Sequence, residues 1–180
     1  KNSFLEQRGL IHDRRWMVVD KSARFITQRT IPKMALLKTK IFDSTLRLRA
    51  PGMSELKLPL FKPEGIPKMV EIWGEKCEAV LADKHSESWI SDFLGEKCNF
   101  AFMPDHTNRQ VDQNYAIGKN QVAFSDGFPL LLISESSLND LNSRIPEEIS
   151  MKRFRPNLAV KNTLPYQEDK WRVIRIGFLL

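Results

Sequence analysis

Phe124-Ser125-Asp126-Gly127-Phe128-Pro129-Leu130-Leu131-Leu132-Ile133-Ser134 decides how this chain reads, together with Arg153-Phe154-Arg155-Pro156-Asn157 further on. The first stretch is an apolar run that ends on a serine and opens an amphipathic pattern. Leu138, Leu141 and Ile145 recur on one side of that pattern, and Pro146 closes it. Ser134 is the expected N-cap of a helix running to about Arg144. The second stretch delivers two arginines and an asparagine on what reads as an extended segment. Both devices can hold an anion. A helix start presents N–H groups that lack intrahelical partners, and a guanidinium meets a phosphate with two parallel hydrogen bonds. Strand alternation would put Arg153 and Arg155 on one face as a paired clamp. The plainer alternatives are that Ser134 and Ser136 only cap, and that the arginines form a solvated basic face.

Upstream, the chain reads mostly as strands. Arg15 to Val19 and Arg24 to Arg29 flank the short polar stretch Asp20-Lys21-Ser22-Ala23 and resemble a hairpin. Ala35 to Phe42 is apolar with lysines at Lys38 and Lys40, and Leu46-Arg47-Leu48-Arg49 alternates strictly. Pro51-Gly52 marks a turn before Leu56-Lys57-Leu58. Lys62 to Lys68 holds Pro63, Gly65 and Pro67 and is expected to be irregular. Val70 to Trp73 and Cys77 to Leu81 read as strands around Gly74. Ser86 to Leu94 is the first clear helix, with Ser86 as expected N-cap and Gly95 as its stop. Phe100 to Met103 reads as a strand. Asp105 to Lys119 is polar, without period, and reads as a boundary or mobile loop. Leu158-Ala159-Val160 and Trp171 to Ile176 are expected strands. The fold class expected is α+β and β-rich.

Composition sets looser bounds. The 180 residues are 42% hydrophobic, enough for a real core in one domain or two small ones. No apolar stretch reaches the ~18 residues of a membrane span, and no signal-peptide pattern opens the chain. Two cysteines, Cys77 and Cys98, make no disulfide framework, so a cytoplasmic, reducing location is expected. The net charge of +6 suits an anionic small ligand or weak nucleic-acid contact. His12, His85 and His106 are scattered without metal-ligand spacing. Asp13-Arg14-Arg15-Trp16 reads as a surface ion pair beside a core tryptophan, or as a further arginine for the same anion. Glu168-Asp169 reads as a turn before a strand.

These residues also resemble a known family. Gly9-Leu10-Ile11-His12-Asp13-Arg14-Arg15-Trp16-Met17-Val18-Val19-Asp20, Phe25-Ile26-Thr27-Gln28-Arg29 and Val70-Glu71-Ile72-Trp73-Gly74 resemble the N-terminal β-barrel region of MOSC proteins. Phe124 to Asn142, Arg153 to Val160 and Glu168 to Gly177 resemble the first part of the MOSC domain, in the same order. The resemblance implies a β-barrel-like N-terminal domain over 1–105 and an incomplete β-barrel MOSC domain with a few helices over 106–180. It implies molybdenum cofactor (molybdopterin) as ligand, held by Arg14, Ser134, Arg155 and Asn157, all expected to line one cleft between the domains. It implies reduction of N-hydroxylated small molecules in the intact protein, with electrons from a partner redox protein, and no nucleic-acid partner. The family's molybdenum-ligating cysteine follows the position of Gly177, and its early lysine would be Lys1. Neither Cys77 nor Cys98 matches the metal ligand, and many relatives carry a further iron–sulfur domain. Two other classes remain: a cofactor carrier or sulfur-transfer module without reductase activity, and a basic nucleic-acid-binding β domain. Aromatics interleaved with arginines on one exposed sheet would mark the last of these.

Overall fold

The computed structural model describes residues 3–116 and 118–176. Lys1 and Gly177–Leu180, to which the family resemblance assigns the early lysine and the approach to the metal cysteine, lie outside the described residues. The chain divides into two compact units, one ending at Gly127 and the other starting at Phe128.

In the first unit, β1 (Leu5–Glu6) and β2 (Gly9–Leu10) form a small antiparallel pair. Strand β3 (Trp16–Asp20) follows, then a 3-10 turn at Pro32–Leu36. Next come β4 (Lys38–Phe42), β5 (Thr45–Arg49) and β6 (Leu56–Pro59), an antiparallel three-stranded sheet in that order. Strands β7 (Ile66–Ile72) and β8 (Glu75–Leu81), helix α1 (Lys84–Leu94) and β9 (Cys98–Phe102) complete the unit. The main sheet runs β3-β9-β8-β7.

Alternation along the strands builds two cores. Val18 packs with Leu48, Leu58, Trp89, Ile90 and Phe93 beneath α1, whereas Val19 packs with Val70, Ile72, Ala79 and Met103. Ile90 is wholly buried, and Ile90→Ala would cost about 2–5 kcal/mol. Among the described residues the four-stranded sheet is not a closed barrel. Single bridges, Val19 to Phe25 and Arg24 to Glu71, join the outer edges of β3 and β7 through a segment too short to be a strand. The sheet therefore curls as the family resemblance implies, without a continuous ladder.

Several local expectations change. The first helix is capped by Asp83, whose Oδ1 accepts the Ser86 N–H at 2.7 Å, so Ser86 lies inside the helix. The stop at Gly95, at φ 79°, is as expected. Pro67 does not break the chain into a loop but lies within β7. That strand is the edge of its sheet, its one ladder is with β8, and the bridge on its outer side is at Glu71, so at Pro67 a residue lacking an N–H is tolerated. Trp73 and Gly74 both have positive φ, 53° and 83°, which is the two-residue hairpin turn that matches strand twist.

The second unit is smaller. Strand β10 (Leu132–Ser134) leads directly into α2 (Glu135–Asn142), and the chain returns to β11 (Leu158–Val160), parallel to β10. A helix between two parallel strands is the usual crossover. The helix ends at Asn142, two residues short of the expected Arg144. Arg153 to Asn157 is not extended: a 3-10 turn covers Met151–Arg153, and Arg155 adopts a left-handed φ of 54°. Backbone N–H groups of Phe154 and Arg155 close back on Met151 and Lys152 carbonyls, which removes the strand alternation expected of the two arginines. Trp171 to Arg175 is not a strand either. No ladder pairs with it among the described residues, and both alternating sets of its side chains from Arg172 onward are exposed.

Candidate functional site

Ser134 has the cap geometry expected of it. Its φ and ψ of −89° and 147° are extended, and its Oγ accepts the Ser137 N–H at 3.0 Å. It is 0% exposed. Its own N–H donates to Glu168 Oε1 at 3.0 Å, and the Ser137 hydroxyl donates to the same oxygen at 2.6 Å. The Ser137 proton being used there, the 2.6 Å Ser134–Ser137 contact has Ser134 as donor. Ser137 Oγ also accepts the Tyr166 N–H at 2.7 Å. The anion at this helix start is thus the chain's own carboxylate, in the field that favours one. Burial pushes the Glu168 pKa up, but the hydrogen bonds from Ser137 and Ser134 outweigh it and hold the carboxyl below its usual range. Its second oxygen, Oε2, is buried without a hydrogen-bond partner among the described residues. Glu168 lies in a 3-10 turn at Gln167–Lys170, as the turn reading expected, but its reach to α2 had no local signature.

Asn157 is also tied to the backbone. Its N–H donates to the Leu131 carbonyl at 2.9 Å and its Oδ1 accepts the Leu131 N–H at 3.0 Å. The side chain thereby extends the β10–β11 pairing by one residue. Arg155, two positions earlier, is exposed, and its N–H donates to the Lys152 carbonyl at 3.2 Å.

Arg14 belongs to the first unit. It sits at φ 50° just before β3, ion-paired with Asp13, and its carbonyl accepts the Phe124 N–H at 3.0 Å. Arg15 turns the other way. It is 8% exposed, donates twice to the Met103 carbonyl, and meets Asp105 Oδ1 at 2.5 Å. The Arg15 hydrogen bond holds the Asp105 carboxyl below its usual range. So the ion pair expected in Asp13-Arg14 is present, while the neighbouring arginine is structural. A small cavity of about 70 Å³ lies beside them, lined by His12, Arg15, Phe61 and Lys62 among others. Burial, more than the Arg15 charge, draws the His12 pKa down there.

Sequence reading missed Arg109. It is 5% exposed inside the stretch expected to be a loop. Its guanidinium donates to Ala123, Ser125 and Asp126 carbonyls at 2.8, 2.7 and 3.0 Å, and to Glu75 at 2.8 Å. That clamp fastens 123–126 into the first unit. Cys77 and Cys98 lie one in each core of that unit, unbridged, and burial pushes both thiols up. Among the described residues no group of histidines, cysteines and carboxylates could hold a metal ion, and no helix is long and apolar enough to cross a membrane.

Residues 1–97 match the MOSC N-terminal beta barrel domain and residues 119–180 match the MOSC domain. The chain belongs to the MOSC family. Among its relatives, mitochondrial amidoxime-reducing component 1 of Mus musculus is 32% identical over 180 residues, covering 94% of this chain and 51% of that protein. The human component 1 is 32% identical over 179 residues, covering 94% and 52%. Molybdenum cofactor sulfurase of Oryza sativa subsp. japonica is 28% identical over 189 residues, covering 94% and 23%. The chain spans about half the length of the amidoxime-reducing relatives it matches.

Proposed function

We propose that this chain supplies the phosphate- and pterin-binding part of a molybdenum-cofactor oxidoreductase that reduces N-hydroxylated compounds. The observation that carries the reading is the family membership joined to the state of two arginines. Arg14 and Arg155 are both held at left-handed φ, 50° and 54°. That conformation costs an L-residue about 1–2 kcal/mol, and such cost tends to be kept where a side chain must be aimed. Other residues share it, Asp43 and Trp73 in hairpin turns that require it and His12, Lys62 and Tyr166 outside hairpins.

The donor set fits the phosphate end of the cofactor. Guanidinium groups match phosphate oxygens two at a time. Arg14 and Arg155 are each proposed as a contact of the cofactor. Asn157, its Oδ1 engaged by Leu131, would be a further contact of the cofactor. Ser134 contributes by fixing the start of α2, since its hydroxyl is used inside the chain. The bound cofactor supplies two-electron oxygen-atom chemistry at its metal. The reaction balances as an N-hydroxylated amine plus two electrons and two protons giving the amine and water, with a partner redox protein as electron source. The thiolate for the metal is neither Cys77 nor Cys98, both buried in cores. The domain division proposed at 105/106 falls inside the gap between the two family matches, whereas the compact units divide at 127/128.

The likeness to a molybdenum cofactor sulfurase favours one second reading, a carrier or sulfur-transfer module. Assaying the cofactor-loaded, full-length protein with an N-hydroxylated benzamidine and a chemical electron donor separates them. Benzamidine formation supports the reductase; bound cofactor without benzamidine formation supports the carrier.

A further inference from the structure

The outer face of the three-stranded sheet carries like charges directly opposite one another. The register places Lys40 against Arg47 and Arg47 against Lys57, a row of three bases across all three strands. The next row holds Lys38 against Arg49. Strands lie about 4.8 Å apart, and like charges facing each other at that spacing weaken a sheet. Among the described residues Glu55 is the carboxylate paired with them, at 2.7 Å from Arg49 and 3.7 Å from Arg47. Lysines on an edge strand are a common guard against strand-to-strand aggregation. That accounts for Lys38 and Lys40 on β4. It accounts equally for Lys57, since β6 is the opposite edge strand, but not for Arg47 and Arg49 on the central strand.

The same face ends in an exposed aromatic. Phe42, in the row with Thr45 and Pro59, is 44% exposed, and the Arg47 guanidinium lies 3.9 Å from its ring centroid. Its neighbour Ile41 is 49% exposed at the tip of the same hairpin, which turns at Asp43.

We propose that this face docks the protein onto an anionic lipid surface, the bases against headgroup phosphates and carboxylates and the Ile41–Phe42 tip at the interface. Three features favour lipid over another macromolecule. Lysine is depleted in protein–protein interface cores, whereas clusters of basic residues read anionic lipid. Among the described residues the rows of this face carry one aromatic, Phe42, and not the series of rings on which nucleic-acid bases stack. An apolar tip beside a basic stripe is the arrangement that lies in a membrane interface.

The test is co-sedimentation of the full-length protein with phosphatidylcholine vesicles, with and without phosphatidylserine. Wild type should partition onto the phosphatidylserine vesicles, less so as salt rises. The triple variant Lys38→Glu, Lys40→Glu, Lys57→Glu should lose at least about tenfold in partition coefficient, each base being worth several-fold near such a surface. Its fold should survive, since the change relieves the like-charge rows; a triple Gln variant, read the same way, covers a folding failure. Phe42→Ser should weaken partition while leaving the salt dependence in place. Equal partition of wild type and both triple variants overturns the proposal. So does tighter binding of wild type to a DNA duplex or to polyglutamate than to phosphatidylserine vesicles at the same salt.

Discussion

Arg155 and Asn157 stand two residues apart and act differently. Arg155 is exposed on a left-handed turn, while Asn157 is hydrogen-bonded to both backbone groups of Leu131. Replacing Asn157 with Ala should therefore cost the second unit about 0.5–1.5 kcal/mol, the net worth of one hydrogen bond, measurable by chemical denaturation. Glu168 makes a pH prediction. Its folded pKa is depressed, so it stabilises above the ordinary carboxyl range, and the contribution disappears as pH falls through the folded value. The second unit should lose stability below about pH 4. In a Glu168→Gln variant that acid-dependent loss should shrink, and stability at neutral pH should drop by about 1.5–3 kcal/mol. A pH–stability curve unchanged by the substitution would contradict the cap assigned to Glu168.

At the scale of elements, the parts legible in sequence are those fixed within a few residues. The Ser134 cap, the Gly95 stop and the Gly74 turn each depend on a local hydrogen bond or a positive φ. Asp83 was passed over for Ser86 because both are good cap residues three positions apart, and only the fold shows which one is outside the helix. Asp83→Ala should cost about 1 kcal/mol, whereas Ser86, being internal, would not show a capping loss; paired thermal melts check both. The strand expected through Arg153 to Asn157 failed for a different reason. Alternating residue types cannot distinguish a strand from two tight turns when no partner strand is known.

At the scale of the molecule, Arg109 was illegible because its partners lie up to thirty-four positions away. A lone arginine in a polar stretch reads as solvated; here it is buried and joins Glu75 to segment 123–126. Arg109→Ala would leave three carbonyls unanswered and should destabilise the first unit by about 3 kcal/mol or more, visible as a lower unfolding midpoint. Of the candidate site, the residues were read as anion-holding devices and the family resemblance gave them their cofactor; that Ser134 and Asn157 are tied to backbone was not visible in the sequence. The central claim is that the arginines hold the cofactor. It is tested most directly by molybdenum and pterin content per purified full-length protein, under limiting cofactor, for wild type, Arg14→Ala and Arg155→Ala, with circular dichroism as folding control. A charged hydrogen bond is worth about 1.5–3 kcal/mol, so each well-folded variant should carry at least about tenfold less of both; content equal to wild type in either variant would contradict the role assigned to that arginine.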